Sequence, residues 1–153
     1  MDIFSKYVEE FLRNAREQGV GAEVLEVENL LRKYRVHEIY KKYAISRSTS
    51  FILPHWEKKD KCFVFRLPLP YVSGLKKEIM ERILEKHNLT LNYECYVPED
   101  DTEPLEEYFY FEIRVPPTNL EKGIRDGINL HEKIVKEIDN VVNKLLDLCL
   151  ESG

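Results

Sequence analysis

The sequence predicts an α+β fold: a four-stranded antiparallel sheet, built from two β-hairpins and packed with helices, in the order αα-ββ-α-ββ-α. Two observations predict this class. Apolar residues recur three and four positions apart near both ends of the chain and in its middle, and the segments between show strand-like apolar runs or alternate apolar with polar residues. The length of 153 residues and the hydrophobic share of 43% suit one core, so residues 1–153 are predicted to form a single domain.

The first part of the chain is predicted to be helical. Residues 3–18 carry an apolar stripe at helical spacing, and the segment Gly19-Val20-Gly21 ends it. Residues 22–43 resume the helical pattern, but their apolar stripe changes phase near Arg35 and Val36. This change of phase predicts a bend between two helical segments.

The two hairpins are predicted from the segments that follow. Residues 51–53 and 62–67 are apolar at successive positions, which is typical of strands covered on both faces, and the polar residues 57–60 form the turn between them. A helix over residues 74–87 follows, with Ser73 as its cap. Residues 89–97 and 105–115 then alternate apolar and polar positions, so Phe109 and Phe111 are expected to face inward and Tyr108 and Tyr110 outward.

A long helix over residues 118–150 is predicted at the C-terminal end, since Thr118 and Glu121 form a capping box. Its apolar positions alternate in steps of four and three, which is the spacing of a seam that faces a neighbouring helix. The seam comprises Ile124, Ile128, His131, Val135, Ile138, Val142, Leu145 and Cys149. The sequence leaves two interpretations open: a continuous helix that reaches beyond the domain, or a helix interrupted near Gly127 that folds back onto its own core.

Composition bears on the environment of the protein. Charged residues make up 33% of the chain and glutamine occurs once, a bias typical of thermophile proteins. The three cysteines, Cys62, Cys95 and Cys149, are widely spaced and form no CxxC pair, so we expect buried thiols in a reducing compartment. The sequence shows no signal peptide and no apolar run of the ~18 residues that a membrane span needs. We therefore expect a cytoplasmic protein without membrane association.

Charge is distributed unevenly along the chain. Residues 1–77 hold 15 basic and 10 acidic residues, a net charge of +5, whereas residues 78–153 hold 8 and 18, a net charge of −10. The two halves can neutralise each other within the fold or between protomers. A second interpretation is that the basic half binds nucleic acid, in which case the contacts would come from Arg35, Lys41, Lys42, Arg47, Lys58 and Lys59.

Motifs that carry catalysis or bind cofactors do not occur in the sequence. There is no GxSxG, no glycine-rich phosphate loop and no pair of histidines at the spacing of a helical zinc site. The acidic segment 99–103 lacks the central glycine of a calcium loop and is interpreted as a solvated hairpin turn. The sequence therefore predicts no catalytic residue, no metal and no cofactor, although an enzyme with a scattered site stays open as a third hypothesis.

The leading functional hypothesis is a non-enzymatic protein-interaction domain, adaptor-like or chaperone-like, that associates with itself as a homodimer or with another protein. The outward tyrosines could instead stack on RNA bases, but Glu94, Glu106 and Glu112 share their face and would repel phosphates. The residues predicted to make the protein contact are Tyr96, Tyr108, Tyr110, Val135, Ile138, Val142 and Leu145.

Overall fold

A computed structural model describes residues 9, 12–14, 16–43, 55–70, 77–96 and 106–152. Within them, four helices pack with a four-stranded antiparallel sheet, which confirms the predicted α+β class. Residues 9, 12–14 and 16–17 are also helical, as predicted for the first segment. The helices are α1 (Gly21–Lys33), α2 (Val36–Tyr43), α3 (Lys77–Glu85) and α4 (Leu120–Ser152), and the strands are β1 (His55–Glu57), β2 (Cys62–Leu69), β3 (Asn92–Tyr96) and β4 (Glu106–Val115).

The sheet has the strand order β1-β2-β4-β3. Two hairpins, β1–β2 and β3–β4, are present as predicted, although β1 includes Glu57 of the predicted turn. The hairpins join through antiparallel pairing of β2 with β4, with Phe65 opposite Ile113. The predicted strand over residues 51–53 lies outside the described residues, and β1 begins at His55. Strands β2 and β4 therefore form the centre of the sheet and position everything that packs on it.

Strand β2 is covered on both faces, as predicted. Seven of its eight residues are buried, and only Arg66 is partly exposed. Arg66 pairs with Glu112 across the strands at 3.2 Å and its guanidinium lies 5.7 Å from the centre of the Tyr110 ring. This cross-strand pair keeps the charged group hydrogen-bonded where it is partly removed from water.

Tyr110 corrects the predicted outward face of β4. The side chain is only 4% exposed and belongs to a core cluster that includes Val27, Leu30 and Val36. Alternation along a strand separates its two faces, but it does not show which face is solvated when both are covered. Tyr110 is thus part of the core and is not available for contact with a partner.

The predicted bend near Arg35 and Val36 is confirmed. Arg35 adopts a left-handed backbone conformation with φ of 53°, which separates α1 from α2. Just before it, Lys33 binds the Glu121 carboxylate at 2.6 Å and the Tyr34 hydroxyl donates to the same carboxylate at 3.1 Å. These contacts hold the pKa of Glu121 below its usual value and fasten the end of α1 to the start of α4.

Helix α4 is continuous from Leu120 to Ser152 and is not interrupted at Gly127, which corresponds to the first of the two interpretations that the sequence leaves open. At 1.5 Å per residue its 33 residues extend about 50 Å. Its two interior glycines allow close contact with β4, because a Cβ atom at Gly123 would lie 2.6 Å from Val115 Cγ1 and one at Gly127 would overlap Ile113 Cδ1. A glycine inside a helix costs only ~1 kcal/mol relative to alanine, and the close packing on the sheet outweighs that cost.

Gly123→Ala is therefore expected to destabilise the protein, although alanine is the better helix former. The added methyl group meets the two methyl groups of Val115, a β-branched side chain with little freedom to move away. We expect a net loss of about 1 kcal/mol or more in the free energy of unfolding, measured by urea titration. In a Val115→Ala background the same substitution should instead stabilise by up to ~1 kcal/mol, because only the gain in helix propensity remains. Equal effects in both backgrounds would contradict this contact.

Candidate protein-interaction surfaces

The last part of α4 extends beyond the core. Residues 143–150, here called the C-terminal overhang, are all exposed, whereas Val141 and Val142 just before them still pack partly against the core. Four leucines of the overhang expose between 40% and 79% of their surface: Leu145, Leu146, Leu148 and Leu150. Such a density of exposed leucines on one short helical segment is typical of an interaction site in a folded protein.

The predicted seam of α4 divides into two parts. Ile124, His131 and Ile138 are buried in the chain's own core, so the prediction that Ile138 contacts a partner is wrong. Val135 and Val142 are partly buried, and Leu145 is 40% exposed. The apolar stripe of α4 is thus largely buried against the core over the first five turns of the helix and is exposed at the C-terminal end.

The two described cysteine side chains also differ in burial. Cys62 is buried, as predicted, and burial raises the pKa of its thiol, so the group is protonated at neutral pH and a poor nucleophile. Cys149 is exposed on the overhang, which corrects its predicted burial. No disulfide joins Cys62 to Cys149, and the side chain of Cys95 lies outside the described part of the structure.

A groove of about 480 Å³, here called the α2–α4 groove, separates helix α2 from the middle of α4. Its α2 side is lined by Tyr34, Arg35, Glu38, Ile39, Lys42 and Tyr43. Its α4 side is lined by Ile128, His131, Glu132, Val135, Lys136 and Asp139. The apolar and aromatic side chains of the lining, from Ile39, Tyr43, Ile128 and Val135, are here called its floor, and the charged side chains from both helices its rim.

His131 is a buried residue in the lining of the α2–α4 groove. The side chain is 4% exposed, and its Nε2 atom lies 2.7 Å from the Pro68 carbonyl oxygen, so Nε2 carries the hydrogen and donates it. The Tyr43 ring meets the imidazole edge-on at 5.5 Å between ring centres. Burial lowers the pKa of His131, and the nearby Lys42 charge acts in the same direction. The imidazole is therefore neutral at physiological pH and ties α4 to the end of β2.

The rim of the groove carries both signs of charge. Lys136 and Glu132 pair with each other at 3.2 Å. Arg35 and Lys42 have no carboxylate partner among the residues that the structure describes, although the Lys42 ammonium lies 5.3 Å from the centre of the Tyr43 ring. The lining of the groove thus holds three basic and three acidic side chains, and among them Arg35 and Lys42 form no salt bridge with a described residue.

The residues predicted to bind nucleic acid fall on two separate elements. Arg35 and Lys42 line the α2–α4 groove, whereas Lys58 and Lys59 are exposed in the β1–β2 turn, beside the Asp60 carboxylate that binds Arg114 at 2.9 Å. The side chain of Lys41 and all of Arg47 lie outside what the structure describes. Nucleic-acid binding by this set stays a prediction.

The remaining predicted contacts are Tyr96 and Tyr108. Their backbones belong to the β3–β4 hairpin, where Tyr96 lies opposite Glu106 and Tyr108 opposite Glu94. Their side chains are outside the described part of the structure, so their role in binding stays a prediction.

Over the described residues, no three histidine, cysteine or acidic side chains converge in a way that would hold a metal ion. The acidic segment 99–103 is outside those residues. Among the described helices, none combines the length and the apolar character that crossing a membrane requires.

Comparisons with protein-family models, curated proteins and solved structures gave no match.

The predicted contact residues of α4 include Leu145 but not Leu146, Leu148 or Leu150. A signal for them was present, because after Leu145 apolar residues occupy more of the helix circumference than one core-facing stripe requires. The α2–α4 groove had no comparable signal, since its two walls come from segments about ninety residues apart.

Proposed function

We propose that this protein is a non-enzymatic interaction domain that associates with itself through the C-terminal overhang of α4. The observation that carries the proposal is the exposure of Leu145, Leu146, Leu148 and Leu150 on a helix whose earlier apolar residues are buried. A fully buried leucine side chain contributes ~1.5–3 kcal/mol, so these side chains favour a state in which another surface covers them.

The partner that we propose is a second copy of the chain. The seam spacing of four and three continues from the core into the overhang, and this spacing suits contact with another helix. A two-fold dimer presents the same surface twice, so one apolar segment per chain suffices to form a closed assembly. An adaptor or chaperone-like protein would then bind its partners through the surfaces that remain exposed on the dimer.

The proposed compartment is the reducing cytoplasm. The three cysteines are widely spaced and form no CxxC pair, and no disulfide joins Cys62 to Cys149, which suits a reducing compartment. The predicted cysteine chemistry thus supports the localisation, which fractionation of the native cells with an antibody to the protein would test.

The test of self-association compares leucine substitutions matched for exposure. Leu146 is 56% exposed on the overhang, and Leu25 is 55% exposed on α1. Leu146→Glu is expected to shift the protein from dimer to monomer, because a carboxylate would be buried in the interface, whereas Leu25→Glu should leave the dimer unchanged. Size-exclusion chromatography with light scattering measures the mass, and circular dichroism checks that both variants are folded. Equal behaviour of the two variants would contradict the proposal.

A further inference from the structure

We propose that the C-terminal overhang of one protomer docks into the α2–α4 groove of a second copy, and that the contact is reciprocal. This inference rests on the proposed self-association and specifies which surface the leucines meet. It depends on the apolar floor of the groove, on the charges at its rim and on the length of the overhang.

The floor of the groove matches the apolar side chains of the overhang. Ile39, Ile128 and Val135 are partly buried there, so each still has surface that a partner can cover. The groove volume of about 480 Å³ accommodates several leucine side chains. An amphipathic helix that lays its apolar face into such a groove is a common mode of recognition between proteins.

Particular side chains of the two surfaces carry charges of opposite sign that can pair. The overhang carries Asp147, and Glu151 follows one turn later at a helix C-terminus, which has a partial negative charge of its own. The groove offers Arg35 and Lys42, both exposed and without a carboxylate partner among the described residues. This pairing joins the basic first half of one chain to the acidic second half of another, whose net charges are +5 and −10.

The other charged residues of the rim can also pair with the overhang of a second copy. Glu38 and Asp139 are exposed carboxylates of the groove, and the first turn of the overhang carries the exposed Lys144, so a partner of opposite sign exists for them as well. Electrostatic complementarity of this kind selects a partner and its orientation more than it adds affinity.

The lengths of the two surfaces also agree. Residues 143–150 extend about 12 Å, and the wall of the groove formed by residues 128–139 extends about 18 Å, at 1.5 Å per residue. Because both surfaces lie on α4, two copies related by a two-fold axis can exchange overhangs, with the two α4 helices antiparallel. Each chain then supplies one overhang and one groove, and the assembly closes as a dimer.

Charge reversal in the full-length chain tests the contact. One variant carries Asp147→Lys with Glu151→Lys, and the other carries Arg35→Glu with Lys42→Glu. Each variant alone is expected to dissociate at least about 100-fold more readily than the wild type, because like charges would meet in both contacts. The equimolar mixture should form a heterodimer with wild-type affinity, since each reversed overhang meets a reversed groove and each unchanged overhang meets an unchanged groove.

The outcomes are separable in sedimentation velocity, with one variant labelled to identify the mixed dimer. Restoration of the dimer only in the mixture supports the reciprocal contact. If the Arg35→Glu/Lys42→Glu variant forms a dimer as tight as the wild type, the groove is not the docking site, while the proposed self-association stands. If the wild type itself is a monomer, both the proposed function and this inference are overturned. Circular dichroism and thermal unfolding of each variant establish that loss of the dimer is not loss of the fold.

Discussion

Ile138→Ala is expected to lower the free energy of unfolding by about 2–5 kcal/mol, because the substitution leaves a cavity in the core. Ile138 is fully buried, together with Ile134, against Leu84 and Phe111. Leu146→Ala, about two turns further along the same helix, removes a side chain that is 56% exposed. We expect that substitution to change the free energy of unfolding of the monomer by less than about 0.5 kcal/mol.

Urea denaturation at a protein concentration of about 1 µM measures both values, since at low concentration association adds little to the apparent stability. The contrast tests whether the apolar stripe of α4 divides at Val142 into a core segment and an uncovered segment. A cost of several kcal/mol for Leu146→Ala would show that the overhang packs on its own chain. It would then contradict the proposed interface.

The second large effect concerns pH and His131. Burial lowers the pKa of the imidazole in the folded protein from the ordinary value of 6.5. Below pH 6.5 the unfolded chain then binds a proton that the folded chain does not bind. The contribution of His131 to stability is therefore fully present above pH 6.5 and is lost as the pH falls from 6.5 towards the lowered pKa, with a slope of at most about 1.4 kcal/mol per pH unit.

Several groups surround this imidazole. The Pro68 carbonyl accepts its hydrogen bond and favours the protonated form, while the Lys42 charge and the burial beside Tyr43 and Phe111 disfavour it. His131→Gln keeps an amide donor and does not titrate, so its stability should fall less than that of the wild type between pH 7.5 and pH 5. NMR titration of the His131 ring protons gives the pKa directly. A pKa at or above 6.5 would contradict this account of the buried contact.

The fold was largely predictable because its signals are local. The phase change at Arg35 and Val36 marks the bend between α1 and α2, and the alternation of residues 105–115 marks β4. Gly127 left the continuity of α4 open in the sequence, since glycine commonly ends a helix. A glycine is needed at position 127 because Ile113 of β4 packs so close to the helix that only glycine fits without adjustment.

The interaction surfaces were less predictable, because spacing along a helix does not show where the core ends. Ile138 and Leu145 belong to one seam in the sequence, yet the first is fully buried and the second is 40% exposed. Tyr110 alternates as an outward residue but lies in the core. The α2–α4 groove depends on contacts between distant parts of the chain, which no local pattern reports.

The central claim is that the chain self-associates through α4, and sedimentation equilibrium of the wild-type protein tests it most directly. Between about 1 and 200 µM we expect a reversible rise in average mass from the 18.2 kDa of the single chain to twice that value. A single species of 18.2 kDa over the whole range would contradict the claim, because the leucines of the overhang would then stay exposed in the absence of any second copy.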